Sequence, residues 1–256
     1  MSNDLAARLA RPRFPRSATY DPQWLVDNWM GPQPLWLLEW LWPTLDLPPG
    51  ARVLDLGCGN AITSIFLAKE YEAQVVAADL WVDPRDNWSR IRAAGCAGSV
   101  IPLRAEAHDL PFAEGYFDAI VSVDAYHYFG TDERYLTYLS RFLAPGGRIG
   151  IVVPGLVTEL TDNEVPEHLQ PYWQPDFWTF HSAHWWKQLW NRSGTMQVDR
   201  ADFLEDGWRE WALWCEVCAK ASTSEFVLGI VPEEGEMVRQ DAGRNLGFVR
   251  LAAHRL

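Results

Sequence analysis

The sequence predicts an α/β protein with a mostly parallel, seven-stranded sheet and helices on both of its faces, and three observations carry that prediction. First, the apolar run Val53-Leu54-Asp55-Leu56 breaks into Gly57-Cys58-Gly59, after which Ile62, Ile65, Phe66 and Leu67 recur at helical spacing. That pattern is a buried strand, a tight glycine turn and a helix, the entrance of a nucleotide-binding unit. Second, short β-rich runs alternate with helical stretches across the first two thirds of the chain. Third, the spacing between those runs fits crossover helices, which parallel pairing requires.

Taken in order, the N-terminal layer is rich in tryptophan: Trp24, Trp29, Trp36, Trp40 and Trp42. Met30-Gly31-Pro32-Gln33-Pro34 ends one short helix and starts another, expected from Gln33 to Leu45. Pro48-Pro49-Gly50 leads into the first strand. The second strand, Gln74 to Asp79, ends in an acid. A helix from Asp83-Pro84 to Ala94-Gly95 precedes the third strand, Ser99 to Arg104, and Tyr116 to Val123 is the fourth. A helix is expected from Asp132 to Leu143, and Ala144-Pro145-Gly146-Gly147 turns into a fifth strand, Arg148 to Val153. Pro154 to Gly194 interrupts the pattern, with a helical end at Ser182 to Trp190. Met196 to Phe203 reads as a strand, Asp206 to Lys220 and Ser224 to Ala242 as helices, and Leu246 to Ala253 as the last strand. The expected organisation is one structural domain: an arm and helical cap over 1–50, a cofactor-binding half over 51–153, an insert over 154–195, and C-terminal strands and helices over 196–256.

Composition bounds the function. At 256 residues the chain can bury a sizeable core, and 48% apolar with 22% charged residues is ordinary for a globular domain. The net charge is −12. The one arginine cluster, Arg8, Arg11, Arg13 and Arg16, lies in what reads as a mobile arm or cap, so nucleic acid is not the expected partner. No apolar run spans a bilayer and there is no signal-peptide core, so a cytoplasmic protein without a membrane partner is expected. Cys215 and Cys218 form a CxxC inside an aromatic helical pattern, without a second such pair. They read as buried small residues, and no metal site is expected.

The cofactor is argued from the turn. A dinucleotide site uses G-x-G-x-x-G, and the third position here is Ile62. Asp55 stands two residues before Gly57. An acid directed into the crevice would repel a pyrophosphate and attract an amino group and a sulfonium. At these residues the chain resembles the class I S-adenosylmethionine-dependent methyltransferases, over roughly Arg52 to Val153. Five markers stand in the family's order: Asp55 to Gly59, Asp79, Glu106-Ala107-His108-Asp109-Leu110-Pro111-Phe112, Phe117-Asp118, and Leu143-Ala144-Pro145-Gly146-Gly147.

The resemblance implies a Rossmann-like fold with S-adenosylmethionine as cofactor. It implies that Asp79 accepts from the ribose hydroxyls, that Leu80 and Trp81 pack on adenine, and that Glu106 and the Ala107 amide read the adenine edge. Asp55, Gly57, Cys58 and Gly59 would hold the methionine end, and Asp124 joins the set at the end of the fourth strand. Two departures stand out: Ala61 replaces a frequent third glycine, which narrows the turn, and Glu106 is longer than the usual Asp.

In such an enzyme the protein mainly aligns a nucleophile with an already activated methyl group. His127, just past the fourth strand, is the candidate base. Tyr20, Trp29, Tyr126, Tyr128, His181 and His184 are candidate substrate contacts in the cap, the strand end and the insert. The Asn/Asp-Pro-Pro-Tyr tetrapeptide of many nucleic-acid amino methylases is absent; Val123-Asp124-Ala125-Tyr126 stands in its place. The expected reaction is methyl transfer to an O or N atom of a small molecule. Two rivals stay open at this point: a non-catalytic S-adenosylmethionine-binding module, and an NAD-dependent oxidoreductase.

Overall fold

The computed structural model describes residues 2–161 and 164–256. Among them, strands β1 (Arg52–Leu56), β2 (Gln74–Asp79), β3 (Val100–Arg104), β4 (Phe117–Val123), β5 (Leu143–Leu156), β6 (Met196–Phe203) and β7 (Leu246–Arg255) form one sheet. Their order is β3-β2-β1-β4-β5-β7-β6. β1 to β5 pair in parallel, whereas β7 runs antiparallel to both β5 and β6. The order reverses between β1 and β4. A crevice opens at such a switch point, outside the carboxyl ends of the strands.

The helices are α1 (Ser2–Leu9), α2 (Pro22–Asp27), α3 (Pro34–Leu41), α4 (Ile62–Tyr71), α5 (Pro84–Ala93), α6 (Tyr135–Ser140), α7 (Ala183–Arg192), α8 (Gly207–Ala221) and α9 (Glu225–Asp241). Several start where local chemistry demands it. Asp21, Gln33 and Asp83 each accept a backbone N–H at the head of a helix whose first residue is proline, and Ser182 and Ser224 cap α7 and α9. Strand residues alternate between the two faces: Val53, Ala119 and Val121 join the core under α3 and α4, while Leu54 and Ile120 join the core under α7.

Three elements differ from the sequence-based expectation. The helix after the Pro-rich turn stops at Leu41 and tightens into a 3₁₀ turn over Trp42–Thr44. The helix expected over 132–143 is reduced to Tyr135–Ser140. Ala144–Gly147 lies inside β5 and does not precede it: Leu143 pairs with Phe117 and the register shifts before Ala119 pairs with Arg148, which makes the segment a bulge.

Of the two alternatives for the N-terminal arm, mobile or cap, the structure has it docked. Arg8 pairs with Glu216 and Arg11 with Glu210, while Arg13 and Arg16 donate to the carbonyls of Glu205 and Glu70. Apart from Arg11, whose partner Glu210 is buried, these contacts are exposed and contribute about 0–1 kcal/mol each. Phe14, 2% exposed and stacked 6.1 Å from Trp36, contributes more, on the order of 1.5–3 kcal/mol. Burial therefore decides the docking, and the arginines set its register. No helix among the described residues is long and apolar enough to cross a membrane.

Candidate active site

The chain leaves β1 at Leu56 and doubles back through the glycine turn. The Gly57 and Cys58 amides both donate to the Ala78 carbonyl, at 2.8 and 3.1 Å, and stitch the turn to β2. Gly57 has φ +76, and a Cβ there would lie 2.3 Å from the Ala125 side chain. Only glycine lets the turn sit this close to the end of β4. The result is a cleft of about 310 Å³ bounded by the ends of β1, β2 and β4, by the segment after β3, and by the loop between α2 and α3.

At one end of the cleft, Asp79 is 8% exposed. Its carboxylate accepts from the amides of Gly59 (2.8 Å), Trp81 (2.8 Å) and Val82 (2.9 Å). A carboxylate offers about four acceptor sites, so a diol would meet a rigid acceptor with part of its capacity still open. Leu80 and Trp81 flank it at 49% and 69% exposure, an apolar shelf without a covering group. Glu106, Ala107 and His108 form the facing wall. The Glu106 carboxylate bends back onto His108, accepting its backbone N–H at 2.8 Å and meeting its ring Nδ1 at 2.9 Å, and this contact holds Glu106 below the usual carboxylate range.

Asp55 requires a correction. Its carboxylate does not point into the crevice. It is fully buried and accepts from the Thr63 and Ser64 hydroxyls, both at 2.6 Å, in the first turn of α4. α4 has no side-chain cap of its own, since Ala61 enters it at φ +58, and Asp55 anchors that turn from beneath. Burial pushes the Asp55 carboxyl up to about 6. Ala61 thus adopts the left-handed conformation that a third glycine would take without strain.

The opposite end of the cleft is lined by Asn28, Met30, Pro32, Asp124, Tyr128 and Phe129. Asp124 sits at φ +57 against Gly31, where a Cβ would lie 2.1 Å from its Oδ2. Burial, and the charge of Glu234 on α9, raise the Asp124 carboxyl well above its ordinary value. Tyr128 spans the mouth, its ring 5.9 Å from Trp81.

The other expected contacts lie elsewhere. His127 is 1% exposed, wedged between Tyr128 and Phe180, and is not part of the cleft wall. Burial pulls it down to about 3, too weakly basic for proton abstraction near neutrality. Tyr126 is fully buried against Trp186 and Trp190. Tyr20 donates to Glu70 on α4. His181 pairs with Glu159 and stacks on Trp185, and the His184 ring meets Gln188 on the exposed side of α7. Trp29 is buried against Phe226, although its neighbours Asn28 and Met30 line the cleft.

Sequence reasoning missed Asn28, Met30, Asn60 and His108 as wall residues. His108 carried a usable signal, lying two residues past Glu106. The α2–α3 loop carried none, because its approach to the glycine turn is tertiary: Asn60 Nδ2 donates to the Asn28 carbonyl at 3.3 Å, and a Cβ on Gly59 would lie 3.3 Å from Met30 Cγ.

Residues 53–147 match the family model of a methyltransferase domain. The chain is 30% identical over 116 residues to the methyltransferase GfsG of Streptomyces halstedii, a match covering 45% of this chain and 42% of that protein. It is 27% identical over 167 residues to a glycine/sarcosine/dimethylglycine N-methyltransferase of Actinopolyspora halophila, covering 63% of this chain and 28% of that one. Matches thus span less than half the length of these curated relatives. Among solved structures, phosphoethanolamine N-methyltransferase 2 of Haemonchus contortus, in complex with S-adenosyl-L-methionine, superposes with TM-score 0.74 at 18% identity, covering 98% of this chain and 59% of that one. Residues 53–147 thus carry a methyltransferase domain, and its fold is shared with that S-adenosyl-L-methionine complex. The cleft fits that cofactor in shape, with close-approach glycines at one point and a buried acid with an apolar shelf at another.

Proposed function

We propose that this protein transfers a methyl group from S-adenosylmethionine to an O or N atom of a small molecule. Asp79 would hold the ribose, Leu80 and Trp81 the adenine, and the Gly57-Cys58-Gly59 backbone the methionine end. Glu106, once released from His108, and the Ala107 amide would read the adenine edge. The bound cofactor supplies a methyl carbon activated by an adjacent sulfonium. The chain's own residues would place the acceptor in line with it at the end lined by Met30, Asp124 and Tyr128.

The observation carrying this reading is the single cleft at the switch point, with Asp79 at one end and Asp124 at the other. The relatives named for N-methylation of small amines support a small acceptor. The cleft offers no basic face that a nucleic-acid backbone would need. Calorimetric titration tests the reading: S-adenosylmethionine and S-adenosylhomocysteine should bind and NAD should not. NAD binding without adenosylmethionine binding contradicts it.

A further inference from the structure

Asp124 is the acid in the cleft wall that the fold leaves unanswered. Asp79 and Glu106 are each tied to donors of the chain, as Asp55 is beneath the turn. Among the described residues, the Asp124 side chain accepts no hydrogen bond and forms no ion pair, yet it lines the cleft at the end of β4. The one charge that acts on it from another residue is a second carboxylate, Glu234. Glu234 itself holds only the Trp211 indole N–H and meets no cation. Tyr128, beside Asp124, feels both of these acids and Asp176. The position is built: Gly31 leaves room for the carboxylate, and its carbonyl accepts from Trp214 Nε1 at 2.8 Å.

Asp124 is half-buried, and an acid partly withdrawn from water without a partner carries a cost that a bound cation removes, whereas a neutral or anionic ligand leaves it or adds to it. The walls around Asp124 are Met30, Pro32, Tyr128 and Phe129, apolar and aromatic surfaces on which an ammonium is favoured over an anion.

We propose that the methyl acceptor is an amine bound as a cation, with Asp124 as its ion-pair partner and Glu234 as a second carboxylate behind it. The inference rests on the methyltransferase reading above and narrows its acceptor from O or N to a basic nitrogen. For a primary or secondary amine, the ammonium passes one proton to Asp124. The freed nitrogen lone pair then forms the new N–C bond while the carbon–sulfur bond breaks, its electron pair staying on sulfur. The product nitrogen carries the positive charge and remains opposite the two acids. A tertiary amine, bound as its ammonium, passes its single proton to Asp124 in the same way and regains the positive charge on methylation.

The test uses the full chain, methyl-labelled S-adenosylmethionine, and a pool of primary, secondary and tertiary amines, each paired with the alcohol of the same skeleton. Unreacted S-adenosylmethionine, itself a cation, is first removed by reversed-phase chromatography, and the labelled products are then separated on a cation exchanger at pH 7. Label should be retained with the cations. For the labelled amine, Asp124→Asn should raise KM tenfold or more while the calorimetric Kd for S-adenosylmethionine changes less than threefold, and Glu234→Gln should raise KM by a smaller factor. If Asp124→Asn melts early, Glu234→Gln carries the KM test. Label confined to neutral or anionic products overturns the inference. So does the absence of any labelled amine while the cofactor binds, or a loss of cofactor affinity in Asp124→Asn equal to the loss for the amine. Failure of S-adenosylmethionine to bind at all instead sinks the methyltransferase reading.

Discussion

The two ends of the cleft handle acidic residues in opposite ways. At the end proposed for the cofactor, Asp79 accepts three backbone amides, Glu106 grips His108, and Asp55, just below the turn, holds two hydroxyls. These acids act as scaffolding: their internal bonds fix the glycine turn and the start of α4 before any ligand arrives. At the end proposed for the acceptor, Asp124 lines the cleft with Glu234 acting on it, burial raises both carboxyls, and among the described residues neither pairs with a cation. One end is preorganised geometry and the other holds acids that await a partner. A class of enzymes that keeps one cofactor and changes its acceptor has reason to separate the two.

The contrast can be broken from either side. The largest expected effect is at Asp79: Asp79→Ala removes an acceptor from three amides as well as from the ribose. With charged hydrogen bonds contributing ~1.5–3 kcal/mol each, S-adenosylmethionine affinity should fall by roughly 100-fold or more in calorimetry. Unchanged affinity would mean another residue binds the ribose.

Next is Gly31→Ala. The new methyl would overlap Asp124 Oδ2 on a backbone at φ +140. Strain of about 1–3 kcal/mol should lower the melting temperature by several degrees, at roughly 2–4 °C per kcal/mol. Acceptor KM should rise with it while cofactor affinity holds. Equal damage to both would join the two ends into one unit.

The third prediction concerns pH. Burial pushes Glu234 up to about 7, so the folded chain keeps a proton on it that the unfolded chain releases near the ordinary value of 4.5. Between those values the native state binds more protons, and stability falls as pH rises from about 4.5 to 7. Glu234→Gln should flatten that part of a melting-temperature profile and give the more stable protein at pH 8. An unchanged slope would show that Glu234 is not held as described.

The smallest effect belongs to Ala61→Gly. It relieves a left-handed alanine that costs on the order of 1 kcal/mol, partly offset by the looser unfolded chain. The melting temperature should rise by a degree or two with cofactor affinity unchanged, and a fall would show that the Ala61 methyl packs usefully.

What the sequence made legible follows the range of the physics involved. The strands, the glycine turn and Asp79 are written in short windows, and five spaced markers placed Gly57, Gly59, Leu80, Trp81 and Ala107 around one cleft. Local caps such as Asp21-Pro22 and Asp83-Pro84 marked helix starts. Side-chain direction was less accessible. Asp55 and Asp124 both stand at or near strand ends, and nothing local tells that one turns under α4 and the other into the cleft. His127 and Tyr126 follow β4 closely, yet the aromatics Phe180, Trp186 and Trp190, 53 to 64 residues on, close over them. The fifteen tryptophans blurred the substrate reading further, because a buried indole and a pocket wall look alike in sequence.

The division between the two ends is tested most directly by titrating S-adenosylmethionine calorimetrically into the wild type, Asp79→Ala and Asp124→Asn side by side. The account predicts binding by the wild type, a loss of roughly 100-fold in Asp79→Ala, and less than a threefold change in Asp124→Asn. Equal losses in the two variants, or no binding by the wild type, would contradict it.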